Sequence, residues 1–64
     1  MSFAVNLERE RKRAGLTQEE LAEKLGVKQA LISQYENGVK LPTIQLAVKI
    51  AKLFGTTCEE MVTR

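Results

Sequence analysis

Four glycines divide this chain of 64 residues into short segments, and their spacing limits what the chain can form. The segments that end at Gly15, Gly26, Gly38 and Gly55 each carry apolar residues at helical spacing. Glycine commonly follows the last residue of a helix, because it adopts a left-handed backbone conformation without steric cost. The pattern therefore predicts short helices and an all-α fold.

The first two helices have clear boundaries in the sequence. The first is predicted from Ser2 or Phe3 to Ala14, and the second follows a capping box formed by Thr17 and Glu20. The apolar stripe of the first helix is Phe3, Leu7, Arg11 and Ala14. The second helix is expected to bury Leu21, Ala22 and Leu25 before it ends near Gly26, with Leu16 and Leu21 as a hydrophobic staple.

The later helices follow the same rules. The third is predicted from about Lys28 to Asn37, with Leu31, Ile32 and Tyr35 facing inward. Pro42 bars its continuation, and Thr43 caps a fourth helix. The apolar residues of the fourth helix are Leu46, Ala47, Ile50, Leu53 and Phe54. A second capping box, from Thr57 to Glu60, predicts a short fifth helix with Cys58, Met61 and Val62 as apolar contacts.

Composition excludes most catalytic chemistry. The chain has no histidine and a single cysteine, Cys58, and its eight acidic residues are all glutamates. Metal clusters, Ser-His-Asp triads and an intrachain disulfide are therefore ruled out, and Cys58 is expected to pack as a small apolar residue. No apolar run is long enough for a signal peptide or a membrane span. We expect a cytoplasmic protein without cofactor, metal or enzymatic activity.

Charge is distributed unevenly along the chain. The net charge is only +2, yet residues 24–52 carry five lysines against Glu36, a local net charge of +4. The segments on either side each have a net charge of −1. A basic centre between acidic flanks is consistent with a polyanionic partner bound by the middle of the chain.

Two short helices joined across Gly26 are predicted to cross closely, because Ala22 is small and faces the apolar Ile32. This arrangement is a helix-turn-helix, spanning about residues 18–37. Residues 16–26 read LTQEELAEKLG and residues 33–38 read SQYENG. With these two runs, the chain resembles the Cro/CI-type (XRE-like) repressor family from about Leu7 to Val62. The resemblance implies a compact five-helix bundle of the lambda-repressor type, forming one domain over residues 1–64.

The resemblance also implies that the third helix lies in the major groove of DNA. Its polar face carries Lys28, Gln29, Ala30, Ser33 and Gln34. Glutamine bonds bidentately to adenine, lysine donates to guanine, and an alanine methyl group contacts the methyl group of thymine. These five residues are the predicted base-reading set, with Gln29 and Gln34 foremost. The alternative is that they are ordinary solvated positions.

Four further residues are predicted to bind DNA phosphates. Thr17 and Gln18 begin the second helix, where the helix dipole and free backbone amides favour an anion, and the matching family glutamine contacts the DNA backbone. Asn37 and Lys40 follow the third helix and would hold adjacent phosphates. Alternatively, Gln18 faces solvent, Asn37 only terminates its helix, and Lys40 is mobile.

Arg11 lies on the apolar face of the first helix and needs a partner, because an unpaired buried cation is costly. Family members pair an arginine and a glutamate at the positions of Arg11 and Glu36 in a partly buried salt bridge, which we interpret as structural. The alternative is that Arg11 extends its charged end to solvent. Lys28 departs from the family pattern, which places a serine or threonine cap there. The third helix therefore forgoes about 1 kcal/mol.

The resemblance favours a homodimeric transcriptional repressor that reads a palindromic operator. Phe54, Met61 and Val62 are the predicted dimer interface, although they could instead close the monomer core. Thr56 stands where an apolar residue is usual. Glu19 and Glu23 occupy positions at which some phage repressors touch RNA polymerase, and the alternative is a solvated acidic face. Other hypotheses are a restriction-modification controller, an antitoxin, or a protein-interaction module that does not bind DNA.

Overall fold

A computed structural model of the protein describes residues 2–55. Within this range it contains four α-helices, namely α1 (Phe3–Arg13), α2 (Gln18–Leu25), α3 (Gln29–Glu36) and α4 (Ile44–Leu53). The predicted fifth helix, with Thr57, Cys58, Met61 and Val62, lies outside the described residues. None of the helices in residues 2–55 combines the length and the apolar character needed to span a membrane.

Side-chain caps fix where three of these helices begin. At α2, the hydroxyl of Thr17 accepts from the N–H of Glu20 at 3.0 Å, and the Glu20 carboxylate accepts from the N–H of Thr17 at 2.8 Å. The predicted capping box is therefore confirmed. Ser2 caps α1, and Thr43 caps α4 by accepting from the N–H of Leu46 at 3.3 Å.

Glycines with a left-handed backbone end α2 and α3. Gly26 has a φ of 71° and Gly38 a φ of 74°. After α3, the N–H of Gly38 donates to the carbonyl of Tyr35 at 3.2 Å, and the N–H of Val39 donates to that of Gln34 at 3.0 Å. These bonds satisfy carbonyls at the end of the helix and fix the direction in which the chain leaves it. Lys40 follows at once in the sequence.

The core lies around α3, which packs against both α1 and α2. All four helices contribute to one cluster of buried residues, comprising Phe3, Leu7, Leu21, Ala22, Leu25, Ile32, Tyr35, Ile50 and Ala51. Ala22 and Ile32 both belong to this cluster, as the predicted close crossing of α2 and α3 requires. The packing holds α3 between its two neighbours while one of its faces stays in contact with solvent.

Two predicted core positions are wrong. Leu53 is 41% exposed in the last turn of α4, whose buried residues are Ala47, Ile50 and Ala51. Ala14 is exposed because it caps the end of α1, where the chain turns away at Gly15.

The end of α4 and the buried face of α1 also differ from prediction. Phe54 caps α4 instead of extending it, and its side chain is half-buried. The face of α1 is wider than predicted and buries two polar residues, Asn6 and Glu10. Asn6 accepts from Arg9, and Glu10 accepts from Arg13 at 3.4 Å. Local partners therefore allow these polar groups to be buried.

The start of α3 offers a direct test of the missing cap. Lys28 is its N-cap residue and makes no capping hydrogen bond through its side chain. A serine at this position would accept from a free N–H of the first turn. We expect Lys28→Ser to stabilise the protein by about 1 kcal/mol, measured as the free energy of unfolding in urea. Lys40→Ser removes the same charge from a loop, and equal stability of the two variants would contradict the prediction.

Candidate nucleic-acid interface

The exposed side of α3 carries most of the predicted base-reading residues. Gln29, Ala30 and Gln34 are exposed on the helix, and Lys28 is exposed at its N-cap. They reach solvent because Ile32 and Tyr35 direct the opposite face into the core. The result is a polar helix face with amide, ammonium and methyl groups next to one another, suited to the edges of bases.

Ser33 lies at the margin of this face. Its side chain is half-buried, and its hydroxyl accepts from the side-chain amide of Asn37 at 3.4 Å. Asn37 itself is exposed and caps the C-terminal end of α3. Ser33 is thus less accessible than the other four predicted base-reading residues.

The predicted phosphate-binding residues lie at the two ends of the helix pair. Thr17 and Gln18 are at the N-terminal end of α2, whose first-turn N–H groups have no partner within the helix. Asn37 and Lys40 follow α3, and both are exposed. These four residues therefore lie at the start of α2 and after the end of α3, the positions from which a helix-turn-helix can hold the DNA backbone.

A hydrogen-bonded network ties three helices together behind these residues. Arg11 donates from Nε to Glu36 Oε2 at 2.7 Å and from Nη2 to Glu36 Oε1 at 3.1 Å. Its third donor, Nη1, bonds to the carbonyl of Leu16 at 2.8 Å. The side chains of Arg11 and Glu36 are only 11% and 1% exposed. Gln18 joins the network by donating from Nε2 to Glu36 Oε1 at 3.1 Å.

The pair of Arg11 and Glu36 was predicted, whereas the bond between Gln18 and Glu36 was not. These two residues are 18 positions apart and share no helix, so no local pattern relates them. Gln18 is half-buried at the start of α2, and its position in the sequence does not distinguish it from a solvent-exposed residue. The packing of α2 against α3 brings the two side chains together.

The network neutralises the charge of Glu36. The hydrogen bond from Arg11 to the Glu36 carboxylate raises the pKa of Arg11, against the opposing effect of burial, and the nearby negative charge adds to the increase. Arg11 therefore stays charged at neutral pH, paired with the carboxylate of Glu36. The basic character of the surface around α3 then comes from lysines such as Lys28 and Lys40, both of which are exposed.

The capping box makes stability depend on pH. Hydrogen bonding with Thr17, through its backbone N–H first and its side chain second, holds the pKa of Glu20 below its usual value. In the unfolded chain the pKa of a glutamate is about 4.3, and in the folded protein the pKa of Glu20 is lower. The resulting stabilisation is complete above the unfolded-state pKa and is lost as the pH falls through the folded-state pKa. Below about pH 5 we therefore expect the urea concentration at the unfolding midpoint to fall, and to fall less in Glu20→Gln, which has no titrating carboxyl group.

Thr43→Ala is the matched control for this titration, because Thr43 caps α4 without a carboxylate partner. That variant should lose stability at every pH while keeping the pH dependence of the wild-type protein. Parallel pH profiles for Glu20→Gln and wild type would contradict the assignment.

The chemistry of the described residues is that of a binding surface. In residues 2–55, no cluster of three or more acidic, cysteine or histidine side chains has an arrangement that could hold a metal ion. The polar groups that are exposed on α3 are the amides of Gln29 and Gln34, and the exposed ammonium group of Lys28 lies at its N-cap. They can form hydrogen bonds with a polyanion and with base edges.

Comparison with known proteins identifies relatives of the whole described region. A helix-turn-helix family profile matches residues 7–61. An uncharacterized helix-turn-helix-type transcriptional regulator of Methanocaldococcus jannaschii is 50% identical over 46 residues, covering 72% of this chain and 70% of that protein. The helix-turn-helix-type transcriptional activator BcrR of Enterococcus faecalis is 37% identical over 62 residues. This alignment covers 97% of the chain but only 30% of BcrR.

A solved structure shows the same fold. The DNA-binding domain of the P22 C2 repressor superposes with a TM-score of 0.88 at 20% sequence identity. The match covers 95% of this chain and 80% of that domain. The four described helices thus have the arrangement of a repressor DNA-binding domain.

Proposed function

The chain belongs to the Cro/CI-type helix-turn-helix family of transcriptional regulators, and we propose that its α3 helix reads operator DNA in the major groove. One observation carries the proposal, namely that α3 buries Ile32 and Tyr35 while Gln29 and Gln34 remain exposed. A helix held in this way presents its polar side chains to whatever lies outside the protein. An α-helix fits the width of the major groove of B-DNA.

Each side chain on this face has a defined role in the proposal. Gln29 and Gln34 bond bidentately to adenine N6 and N7. Lys28 donates to guanine O6 or N7, and the methyl group of Ala30 contacts the methyl group of thymine. Ser33 lies at the half-buried margin and reaches only a base that approaches closely.

Contacts to the DNA backbone set the register of α3 in the groove. Thr17 and Gln18 bind a phosphate at the N-terminal end of α2, where the helix dipole is positive. Asn37 and Lys40 bind a second phosphate beyond the end of α3. These contacts supply affinity that does not depend on sequence, whereas the α3 side chains supply specificity.

We further propose that the protein acts as a dimeric repressor on a palindromic operator, over residues 1–64 as one domain. A single reading helix contacts few base pairs, and two half-sites about one helical turn apart raise the specificity. Phe54, half-buried at the end of α4, contributes to the dimer interface together with Met61 and Val62, which lie outside the described residues. The exposed Glu19 and Glu23 on α2 are the candidate contacts for RNA polymerase.

Selection from a random pool of duplex DNA at physiological salt tests this function. We expect the protein to enrich a palindrome with half-sites about 10 base pairs apart from centre to centre. An enriched site without symmetry would contradict the proposed dimer but not the proposed reading of bases by α3. Retention without any sequence preference would contradict the proposed reading of bases.

Salt dependence separates DNA binding from use of the fold as a protein-interaction module. Phosphate contacts release counterions, so binding to the enriched duplex should weaken by about 0.9 logarithmic units per contact for each tenfold rise in salt. An apolar protein interface would respond little to the same change. Lys40→Ser should lower this slope by about one contact, and an unchanged slope would remove Lys40 from the interface.

A further inference from the structure

We propose that Glu36 positions Gln18 for its contact with a DNA phosphate, so that the buried pair of Arg11 and Glu36 acts on DNA binding as well as on the fold. The inference rests on the proposed function. It starts from the bond between Gln18 Nε2 and Glu36 Oε1, which measures 3.1 Å. Glu36 does not touch DNA in this arrangement and acts through Gln18.

The chemistry of the two groups fixes the orientation of the Gln18 amide. An ionised carboxylate only accepts hydrogen bonds, so Gln18 must turn its NH₂ group, and not its carbonyl oxygen, toward Glu36. One N–H is then used by Glu36, and the second is available on the same nitrogen. A phosphate also accepts only, so the orientation that Glu36 selects is the one that a phosphate requires.

Arg11 supports the orientation of Gln18 in two ways. Its two bonds to Glu36 balance a negative charge that would otherwise repel the DNA backbone. Its bond to the carbonyl of Leu16, at 2.8 Å, holds the turn two residues before Gln18. The same pair of side chains therefore fixes both the backbone entering α2 and the side chain of its first residue.

A purely structural salt bridge would not need the third partner. Arg11 alone already engages both oxygens of Glu36, yet Oε1 also accepts from Gln18. The side chain of Glu36 is only 1% exposed, so this orientation does not depend on exchange with solvent. The second N–H of the Gln18 amide is thus oriented before DNA binds, which reduces the side-chain entropy that Gln18 loses on binding.

A double-mutant cycle tests the coupling, with wild type, Gln18→Ala, Glu36→Gln and the double variant. Glutamine at position 36 retains the size of the side chain but has only one accepting oxygen, so it cannot serve Arg11 and Gln18 as a carboxylate does. The dissociation constant is measured for the duplex enriched by selection and for a scrambled duplex. Far-UV circular dichroism identifies a temperature at which all four proteins are folded.

We expect Gln18→Ala to weaken binding about fivefold. Glu36→Gln should also weaken binding about fivefold when Gln18 is present, but less than about twofold when residue 18 is alanine. Both losses should be equal on the two duplexes, because a phosphate contact carries no sequence information. An equal loss from Glu36→Gln in both backgrounds would overturn the inference.

Glu23→Gln is the matched charge control, since Glu23 is exposed on α2. It removes one negative charge, as Glu36→Gln does, and should leave binding unchanged or slightly tighter. The expected loss for Glu36→Gln therefore has the opposite sign to a general electrostatic effect. Tighter binding by Glu36→Gln would also overturn the inference.

The outcomes separate this inference from the proposed function. If the wild-type protein binds neither duplex, both the proposed function and this inference are contradicted. If Gln18→Ala weakens binding but the two substitutions act additively, only the proposed role of Glu36 is contradicted. A measurement on the free wild-type protein covers the case in which Glu36→Gln does not fold. By NMR, the side-chain amide protons of Gln18 should exchange more slowly than those of the exposed Gln45, and equal exchange rates would overturn the orientation.

Discussion

Glu36→Ala is expected to destabilise the protein by about 3 kcal/mol or more and to leave much of it unfolded at physiological temperature. The substitution removes the carboxylate that accepts two hydrogen bonds from Arg11, whose side chain is only 11% exposed, and leaves the carbonyl of Leu16 as its acceptor. It also removes the acceptor of Gln18. An uncompensated buried charge costs far more than the net stabilisation of an intact pair. A domain of this size has a stability of only about 5 kcal/mol. The free energy of unfolding in urea, measured at low temperature, gives the loss directly.

An exposed ion pair on α1 is the control for Glu36→Ala. Glu8 and Lys12 are 3.6 Å apart, with side chains 49% and 65% exposed. Glu8→Ala should change stability by less than about 0.5 kcal/mol, because solvent screens such pairs. If Glu36→Ala cost no more than Glu8→Ala, the buried network would not support the fold.

Ile32→Ala is expected to cost about 2–5 kcal/mol, the other large effect. Ile32 has no exposed surface and belongs to the cluster through which α3 packs on its neighbours. Truncation removes buried apolar atoms and leaves a cavity that rigid helices close only in part. Because α3 is the proposed reading helix, specific DNA binding should fall together with the folded fraction.

The chain provides a control of the same residue type. Ile44 is 79% exposed at the start of α4, and Ile44→Ala should alter the free energy of unfolding by less than about 0.5 kcal/mol. Alanine also has the higher helix propensity. Thermal unfolding followed by circular dichroism compares the two variants, and similar melting temperatures would show that the core is misassigned.

Helix boundaries were predictable because local chemistry determines them. Thr17 and Glu20 form a capping box wherever a helix follows them, and Gly26 readily adopts the left-handed conformation that ends one. The exposed face of α3 followed from the spacing of Ile32 and Tyr35. These features depend on residues within a few positions of one another, so the sequence alone contains them.

Features that depend on tertiary packing were not predictable from spacing. The bond from Gln18 to Glu36 and the burial of Asn6 and Glu10 arise only when the helices pack together. Leu53 is apolar and fits a helical pattern, yet it is exposed in the last turn of α4. The need of Arg11 for a partner was predictable from its place on an apolar face, but the spacing of residues did not identify that partner.

The family resemblance supplied what spacing could not. It named Glu36 as the partner of Arg11, which the structure confirms, and it predicts that Gln18 binds the DNA backbone. In the structure Gln18 also bonds to Glu36. The individual DNA contacts remain predictions, because each depends on the position of a base or phosphate relative to a side chain.

The central claim is that side chains of α3 read bases, and the ratio of affinities for the enriched and scrambled duplexes tests it most directly. We expect a ratio of at least about 10³ for wild type at physiological salt. Gln29→Ala combined with Gln34→Ala should lower that ratio by about 10² while leaving affinity for the scrambled duplex nearly unchanged. Gln45→Ala, an exposed glutamine on α4, should change neither affinity. A wild-type ratio near one, or a ratio that survives the double substitution, would contradict the claim.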